Sequence, residues 1–130
     1  DSPGGSVLAG FALFDYIKDL ERANHHVTTV ARGVAASMAG ILLQAGNKRV
    51  MGAEASVLIH EISTMAIGKI GEIEDTVKFV HQLQKKAVDI FMERCGNKIS
   101  RRTFEKKWKR IDWWLMAEAC LKYGFVDEVR

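Results

Sequence analysis

The chain has little of what marks an exported, disulfide-bonded or membrane-spanning protein. Its 130 residues include one proline and two cysteines, Cys95 and Cys120, which stand apart from each other and from any metal-like cluster. This favours a reduced compartment and predicts no metal site. No apolar run reaches the roughly 18 residues that a membrane span needs, and no secretory signal opens the chain. We therefore expect a cytoplasmic protein without a membrane partner.

The composition is otherwise that of an ordinary globular protein. Apolar residues make up 48% of the chain and charged residues 27%, which argues against disorder. A chain of this length can bury about two-thirds of its unfolded surface in one core. The sequence therefore predicts a single domain over residues 1–130.

Basic charge is concentrated in one short segment. Residues 101–110 hold six basic residues and one acidic residue, although the net charge of the whole chain is only +3. Such a segment could contact nucleic acid or an acidic partner. Because Phe104, Trp108 and Ile111 recur within it at helical spacing, we interpret it as a helix with a solvated basic face. We expect no nucleic-acid partner.

Helical and strand-like patterns alternate along the chain. Apolar periodicity predicts helices over 7–22, 37–45, 72–94 and 114–123, a basic helix after Ser100, and strands over 26–31, 48–51, 56–60 and 125–129. Residues 61–71 lack a clear period and are expected to form a loop or a protruding strand. The alternation predicts an α/β layer structure with parallel strands.

The most informative motif is a run of small residues, 33–39, which follows a β-like stretch and puts Ser37 at the start of an apolar helix. A serine at a strand-to-helix junction displays its hydroxyl at a sheet edge, where an acyl-transfer nucleophile belongs. The amide of Met38 could stabilise an oxyanion there. The Gly4–Gly5 turn can supply a second amide, for which we choose Gly5. The alternative role for Ser37 is a helix N-cap.

Two further residues complete a candidate catalytic triad. His60, at the end of an apolar strand, suits a general base, and Asp112, before the predicted last helix, can orient the imidazole. Glu61 projects to the opposite side of the strand and is the poorer candidate for that task. The alternative interpretations are a core histidine and a helix-capping aspartate. The other histidines are assigned no chemistry.

Taken in order, these motifs resemble the proteolytic subunit of Clp-type ATP-dependent proteases, the ClpP family. The blocks that carry the resemblance are Ser2–Val7, Gly33–Met38 with Leu42–Leu43 and Ala45–Gly46, Ile59–His60, and Asp112 with Ala117–Ala119 and Tyr123–Asp127. They span nearly the whole chain, in the family's order and separations. The resemblance implies the same triad and the same two oxyanion donors that the residues themselves suggest.

A member of this family would have the ClpP/crotonase fold, an α/β architecture of stacked ββα units. Residues Glu61–Gly71 would form a protruding handle, followed by a long handle helix through which rings meet. The chain would assemble as a homo-oligomer, in heptameric rings stacked face to face around a chamber. An AAA+ unfoldase would use the ATP and thread unfolded polypeptides into it, so this chain would need no cofactor.

The resemblance also implies where a substrate lies. The substrate would bind as an added strand between the start of the first helix and the residues after the catalytic histidine. The residues expected to contact it are Ser6, Val7, Leu8, Glu61 and Ile62.

Three features depart from the family's pattern. Glu61–Ile62 stands where the family usually has Gln-Pro, and Trp113 stands where it usually has an arginine that helps rings contact each other. The family's strands and helix before the Ser-Pro-Gly-Gly turn are missing, so we expect a fragment of a longer chain.

The leading expectation is a serine endopeptidase that cleaves unfolded polypeptides inside a self-compartmentalised ring. One alternative is a phage prohead-type protease of the same fold. Another is a catalytically silent ring subunit or basic-surface binding module. A third is a crotonase-type acyl-CoA enzyme, which would need neither Ser37 nor His60.

Overall fold

The computed structural model describes residues 1–130 and has five helices and six strands. In chain order the elements are α1 (Val7–Arg22), β1 (Thr28–Ala31), β2 (Val34–Ala36), α2 (Met38–Leu43), β3 (Lys48–Met51), β4 (Ser56–Ile59), α3 (Ile70–Arg94), α4 (Arg101–Trp108), β5 (Trp113–Met116), α5 (Ala117–Tyr123) and β6 (Glu128–Val129). This confirms the predicted α/β class. None of the helices combines the length and apolarity needed to cross a bilayer.

The strands form two sheets of three strands each. One sheet has the order β1-β3-β6, and all its strands are parallel. The other has the order β2-β4-β5, in which β2 and β4 are parallel and β5 is antiparallel to β4. Ser2 adds a parallel bridge to Ala35 at the outer side of β2. The parallel strands predicted from the alternation are confirmed, and β5 is the exception.

Aromatic rings form the centre of the apolar core. Phe91 from α3, Phe104 from α4 and Phe125 after α5 contact one another with ring centroids 5.3 to 6.0 Å apart. Phe104 and Phe125 have no exposed surface. Tilted and edge-on aromatic pairs stabilise a core beyond the area they bury. The cluster therefore holds α3 and α4 against the C-terminal part of the chain.

A buried arginine ties the C-terminal segment to β3. Arg49 is 5% exposed, and its guanidinium donates to both carboxylate oxygens of Asp127, to the side-chain oxygen of Gln44 and to the carbonyl of Gly124. A buried charge is tolerated when it is paired and its donors are used. The hydrogen bond from Arg49 lowers the pKa of the Asp127 carboxyl.

The predicted last helix begins too early in the sequence. Residues Trp113–Met116 form β5, and α5 starts only at Ala117. Burial alternates along β5, with Leu115 buried and its two neighbours exposed, as in a strand with one face on the core. Aromatic residues favour strands, and β4 supplies the hydrogen-bonding partner. Asp112 therefore precedes a strand and not the last helix.

The segment between β4 and α3 is a loop. Residues 60–69 contain neither helix nor strand, so the loop alternative is correct and no protruding strand is present. α3 begins at Ile70, slightly before its predicted start, and ends at Arg94 as predicted. Gly96 follows with a φ of +59°, the left-handed conformation that commonly ends a helix.

Short elements differ most from their predicted bounds. β2 is a separate strand within the run of small residues, and α2 ends at Leu43 and not at residue 45. β1 and β6 are shorter than the predicted strands. The physical reason is that elements of two to six residues contain too little of a period to define an end.

The basic segment forms α4, as predicted. The Ser100 hydroxyl accepts a hydrogen bond from the Thr103 amide at 3.2 Å, which confirms the N-cap. Phe104 and Trp108 are buried, while most of the basic side chains are exposed. Ile111 is 56% exposed, so its assignment to the apolar face was wrong, because the helix ends before it.

Candidate active site

Ser37 lies where the chain turns from β2 into α2. Its φ of 57° and ψ of −124° place it in a conformation that residues other than glycine rarely adopt. Its amide donates to the carbonyl of Leu58 at 2.9 Å, which ties the turn to β4. Ser37 occupies the N-cap position of α2, but its side chain makes no capping hydrogen bond. The hydroxyl is therefore not used by the helix.

The Gly4–Gly5 turn packs directly on this junction. A methyl group at Gly4 would lie 2.7 Å from Ser37 Cβ and 2.8 Å from the Ala36 carbonyl oxygen. Gly4 also has a φ of +100°, so both space and backbone conformation require glycine there. Gly4 is not among the residues singled out from the sequence, although the Gly-Gly pair is the signal that marks it.

The two residues whose amides are expected to stabilise an oxyanion share one cleft, which does not include Ser37. Gly5 and Met38 both line a depression between the turn and α2. Met38 is the first residue of α2, so its N–H has no carbonyl partner within the helix. The Gly5 amide donates no hydrogen bond within the chain. Unpaired donors beside a nucleophile are what an oxyanion hole needs.

Ser37 and His60 line the same pocket. Its volume is about 40 Å³, which leaves room for a small side chain only. The other residues of its wall are mostly apolar, namely Val7, Met38, Ile41, Ile59, Ile62, Ser63, Ala87, Phe91 and Trp108. The arrangement suits an apolar group held next to the serine hydroxyl.

Strand direction brings the three candidate triad residues to one edge of a sheet. Ser37 follows β2 and His60 follows the parallel strand β4, whereas Asp112 precedes the antiparallel strand β5. The last pair of the β4–β5 ladder is Ile59 with Trp113, and His60 and Asp112 are the residues next to this pair in the chain. No hydrogen bond joins the three side chains. Strand register therefore places the three residues at one end of the sheet, and of the three only Ser37 and His60 line the same pocket.

The residues predicted to contact substrate at the start of α1 differ in what they offer. Val7 lines the pocket, and Leu8 is 58% exposed. Both lie in the first turn of α1, where amides have no intrahelical acceptor. The Ser6 hydroxyl instead caps α1 by accepting from the Ala9 amide at 3.3 Å. Contact between these residues and a substrate stays a prediction.

The two predicted contact residues after His60 are held by α3. Glu61 Oε1 accepts from Gln84 Nε2 at 3.3 Å, and Gln84 Oε1 accepts from the Ile62 amide at 3.2 Å. The other carboxylate oxygen of Glu61 accepts from the Arg110 amide at 2.9 Å. Neither hydrogen bond of the Glu61 carboxylate involves the imidazole of His60. Of the pair, only Ile62 lines the pocket of Ser37.

A second cleft lies between α3 and α4. It has a volume of about 280 Å³ and contains neither Ser37 nor His60. Trp108 lines both clefts and so forms a shared wall. Charged side chains dominate the lining of this second cleft, which includes Glu61, His81, Lys85, Arg101, Glu105 and Lys109. No group of three or more histidine, cysteine or acidic side chains in the chain is placed to hold a metal ion.

Known proteins of one family are similar to this chain over nearly its whole length. The chain is 35% identical, over 99% of its length, to proteins named ATP-dependent Clp protease proteolytic subunit from two strains of Bacteroides fragilis and from Bacteroides thetaiotaomicron. It spans 60% of the length of one Bacteroides fragilis relative and 57% of the other two proteins. The model of the Clp protease family matches residues 1–130. Because this match covers the whole chain, the chain belongs to the Clp protease family.

Proposed function

We propose that the protein is a serine endopeptidase of the ClpP type, which cleaves unfolded polypeptides with Ser37, His60 and Asp112. The observation that carries the proposal is the conformation of Ser37, a non-glycine residue at a positive φ whose hydroxyl has no partner in the chain. Such strain is typical of a reacting group displayed at a sharp strand-to-helix turn. Membership of the Clp protease family supports the same chemistry.

The reaction begins with acylation of the serine. Ser37 Oγ attacks the carbonyl carbon of the scissile peptide bond, and His60 accepts the hydroxyl proton. Asp112 accepts a hydrogen bond from the other ring nitrogen and stabilises the imidazolium. His60 then gives the proton to the leaving amine as the C–N bond breaks. A water molecule, deprotonated by His60, hydrolyses the acyl-serine ester and restores Ser37.

Two backbone amides stabilise the negative charge that develops on the carbonyl oxygen. Met38 contributes its amide from the first turn of α2, where the helix dipole favours a negative charge. Gly5 contributes its amide from the neighbouring turn. The close approach of Gly4 to Ser37 keeps that turn beside the nucleophile, so that both donors act at one site.

The three side chains must form two further hydrogen bonds before this reaction can start, because none joins them in a single copy. We propose that assembly into a ring brings about this alignment. Met65 and Ile67, in the loop expected to form the handle, are 84% and 89% exposed. Apolar side chains this exposed support packing against a further copy of the chain.

The proposal includes a partner and a class of substrate. An AAA+ ATPase would unfold polypeptides and deliver them to the ring, and only that partner would use ATP. The name of the relatives, which calls them ATP-dependent, supports this part. The narrow apolar pocket beside Ser37 would receive a small apolar side chain next to the scissile bond.

Intact-mass spectrometry after treatment with a fluorophosphonate tests the proposal, with the Ser37→Ala variant run alongside. We expect one adduct on the protein and none on the variant, because only an activated serine reacts. A folded and assembled protein that takes up no adduct would overturn the peptidase assignment and favour a silent ring subunit. Tight binding of coenzyme A in such a sample would indicate an acyl-CoA enzyme.

A further inference from the structure

The segment before Asp112 is held by a residue outside the triad. Asp112 is exposed and its side chain makes no hydrogen bond, so its own contacts do not place it. Two residues earlier, Arg110 has a φ of 59°, a left-handed conformation that is disfavoured for an arginine. The Arg110 amide donates to Glu61 Oε2 at 2.9 Å. This bond stabilises the turn that leads into Asp112.

The same carboxylate is attached to α3. Glu61 Oε1 accepts from Gln84 Nε2 at 3.3 Å, and Gln84 also accepts from the Ile62 amide at 3.2 Å. Gln84 therefore holds both the side chain of Glu61 and the peptide group after it. Glu61 directly follows His60 in the chain, so one side chain links the segment that carries the base to the segment that carries the acid.

We propose that Glu61 is a positioning residue that sets the place of Asp112 relative to His60. The inference rests on the proposed function. A carboxylate suits the task because it has an oxygen for each neighbour and accepts stronger hydrogen bonds than a neutral group does. Without it, the Arg110 amide has no acceptor in the chain. The turn is then free to leave its left-handed conformation and to carry Asp112 with it.

Two substitutions of Glu61 separate the contact to Arg110 from the contact to Gln84. Glu61→Ala removes both. Glu61→Gln keeps one oxygen for the Arg110 amide but presents an NH₂ group where Gln84 now donates. The matched control is Glu105→Ala, which removes an exposed carboxylate from the same cleft. The readouts are the rate of fluorophosphonate labelling of Ser37 and the kcat and KM for a fluorogenic peptide.

For Glu61→Ala we expect a fall in kcat and in labelling rate of between about tenfold and about a hundredfold, as for a small misplacement of a reacting group. The KM should stay within about twofold, because both carboxylate oxygens of Glu61 are bound within the chain and its side chain does not line the pocket of Ser37. Glu61→Gln should retain most of the kcat, and Glu105→Ala should match the unaltered protein. Equal losses in the Gln and Ala variants would overturn the role of the Arg110 bond.

A double-mutant cycle distinguishes positioning from a general loss of structure. If Glu61 acts through Asp112, Glu61→Ala should lower the labelling rate of the protein but have no further effect in an Asp112→Ala background. Additive losses would overturn the proposal. If the unaltered protein is labelled and Glu61→Ala is labelled at the same rate, this inference alone is refuted. If the unaltered protein is not labelled, the proposed function itself is refuted.

Discussion

His60 directly follows Ile59, and Asp112 directly precedes Trp113, in the last pair of the ladder between β4 and β5. The ladder joins two strands that are far apart in the sequence and so places both residues at the same end of the sheet. Neither residue is held by a hydrogen bond of its own side chain, and the turn before Asp112 is held instead by the bond from the Arg110 amide to Glu61. We therefore expect that each can be substituted without disturbing the fold. The kinetic effect of such a substitution then reports on the chemistry alone.

Asp112→Asn should lower kcat by about 10³- to 10⁴-fold, because an amide neither holds the imidazole in the required tautomer nor stabilises its positive charge. The melting temperature should stay unchanged, since Asp112 is exposed and unpaired. Peptide hydrolysis and thermal unfolding measure the two effects. The matched control is Asp75→Asn, another exposed carboxylate, in α3. Full activity in the Asp112 variant would exclude it from the triad.

Ser37→Gly should be more stable than Ser37→Ala by about 1 kcal/mol, although both should be inactive. The reason is the φ of 57° at this position, which glycine adopts without strain and alanine does not. Urea unfolding at equilibrium measures the difference. At Ser63, in the loop after β4 and without a positive φ, the glycine variant should be no more stable than the alanine variant. If the glycine variant were no more stable than the alanine variant at Ser37 as well, the backbone of Ser37 would not be strained.

Gly4→Ala should abolish activity and destabilise the fold by about 1 to 3 kcal/mol, since the added methyl group meets Ser37 and Ala36 at less than a contact distance. Gly71→Ala is the control, because nothing lies within 4 Å of the added group. It should stabilise α3 by up to about 1 kcal/mol. Unfolding curves and labelling of Ser37 report both effects. An active, stable Gly4→Ala protein would contradict the close packing.

Asp127→Asn should make stability less sensitive to acid. The hydrogen bond from Arg49 keeps the pKa of Asp127 below its unfolded value of about 3.9. The stability that this carboxylate contributes is therefore present above about pH 4 and is lost as the pH falls through its folded pKa. The variant should be less stable at pH 7, and the difference should shrink on acidification.

The free energy of unfolding must be compared between the unaltered protein and Asp127→Asn at each pH. The reason is that the pKa of the neighbouring carboxyl, Glu128, is lowered as well. Arg130 and Lys48 lower the pKa of Glu128 to about 2. Urea unfolding of both proteins from pH 7 to about pH 2 cancels the contribution of Glu128. A difference that stays constant over this range would show that Asp127 does not contribute through its charge.

Much of the fold and the outline of the site could be predicted from the sequence. The long helix α3 and the basic helix α4 have enough residues to show a clear period, and capping residues mark their starts or ends. The run of small residues placed Ser37 correctly at a strand-to-helix junction, and its role as nucleophile stays a prediction. His60 could be placed because its strand is short, apolar and clearly bounded.

The rest depended on partners that lie far away in the sequence. Trp113–Met116 has a helix-compatible pattern on its own, and only the edge of β4 makes it a strand. Gly4 required the distance to Ser37 before its role was evident. The two hydrogen bonds of Glu61 could not be foreseen, because Gln84 and Arg110 approach it only after α3 and α4 have packed.

The sheet of β2, β4 and β5 has a consequence for how the protein tolerates change. Neighbouring strands lie about 4.8 Å apart whatever side chains they carry, and the candidate nucleophile, base and acid follow or precede these three strands. Replacing one apolar core residue by another should alter stability while leaving this spacing intact. Core residues that do not line the pocket of Ser37 can thus change in sequence without moving the three candidate residues relative to one another.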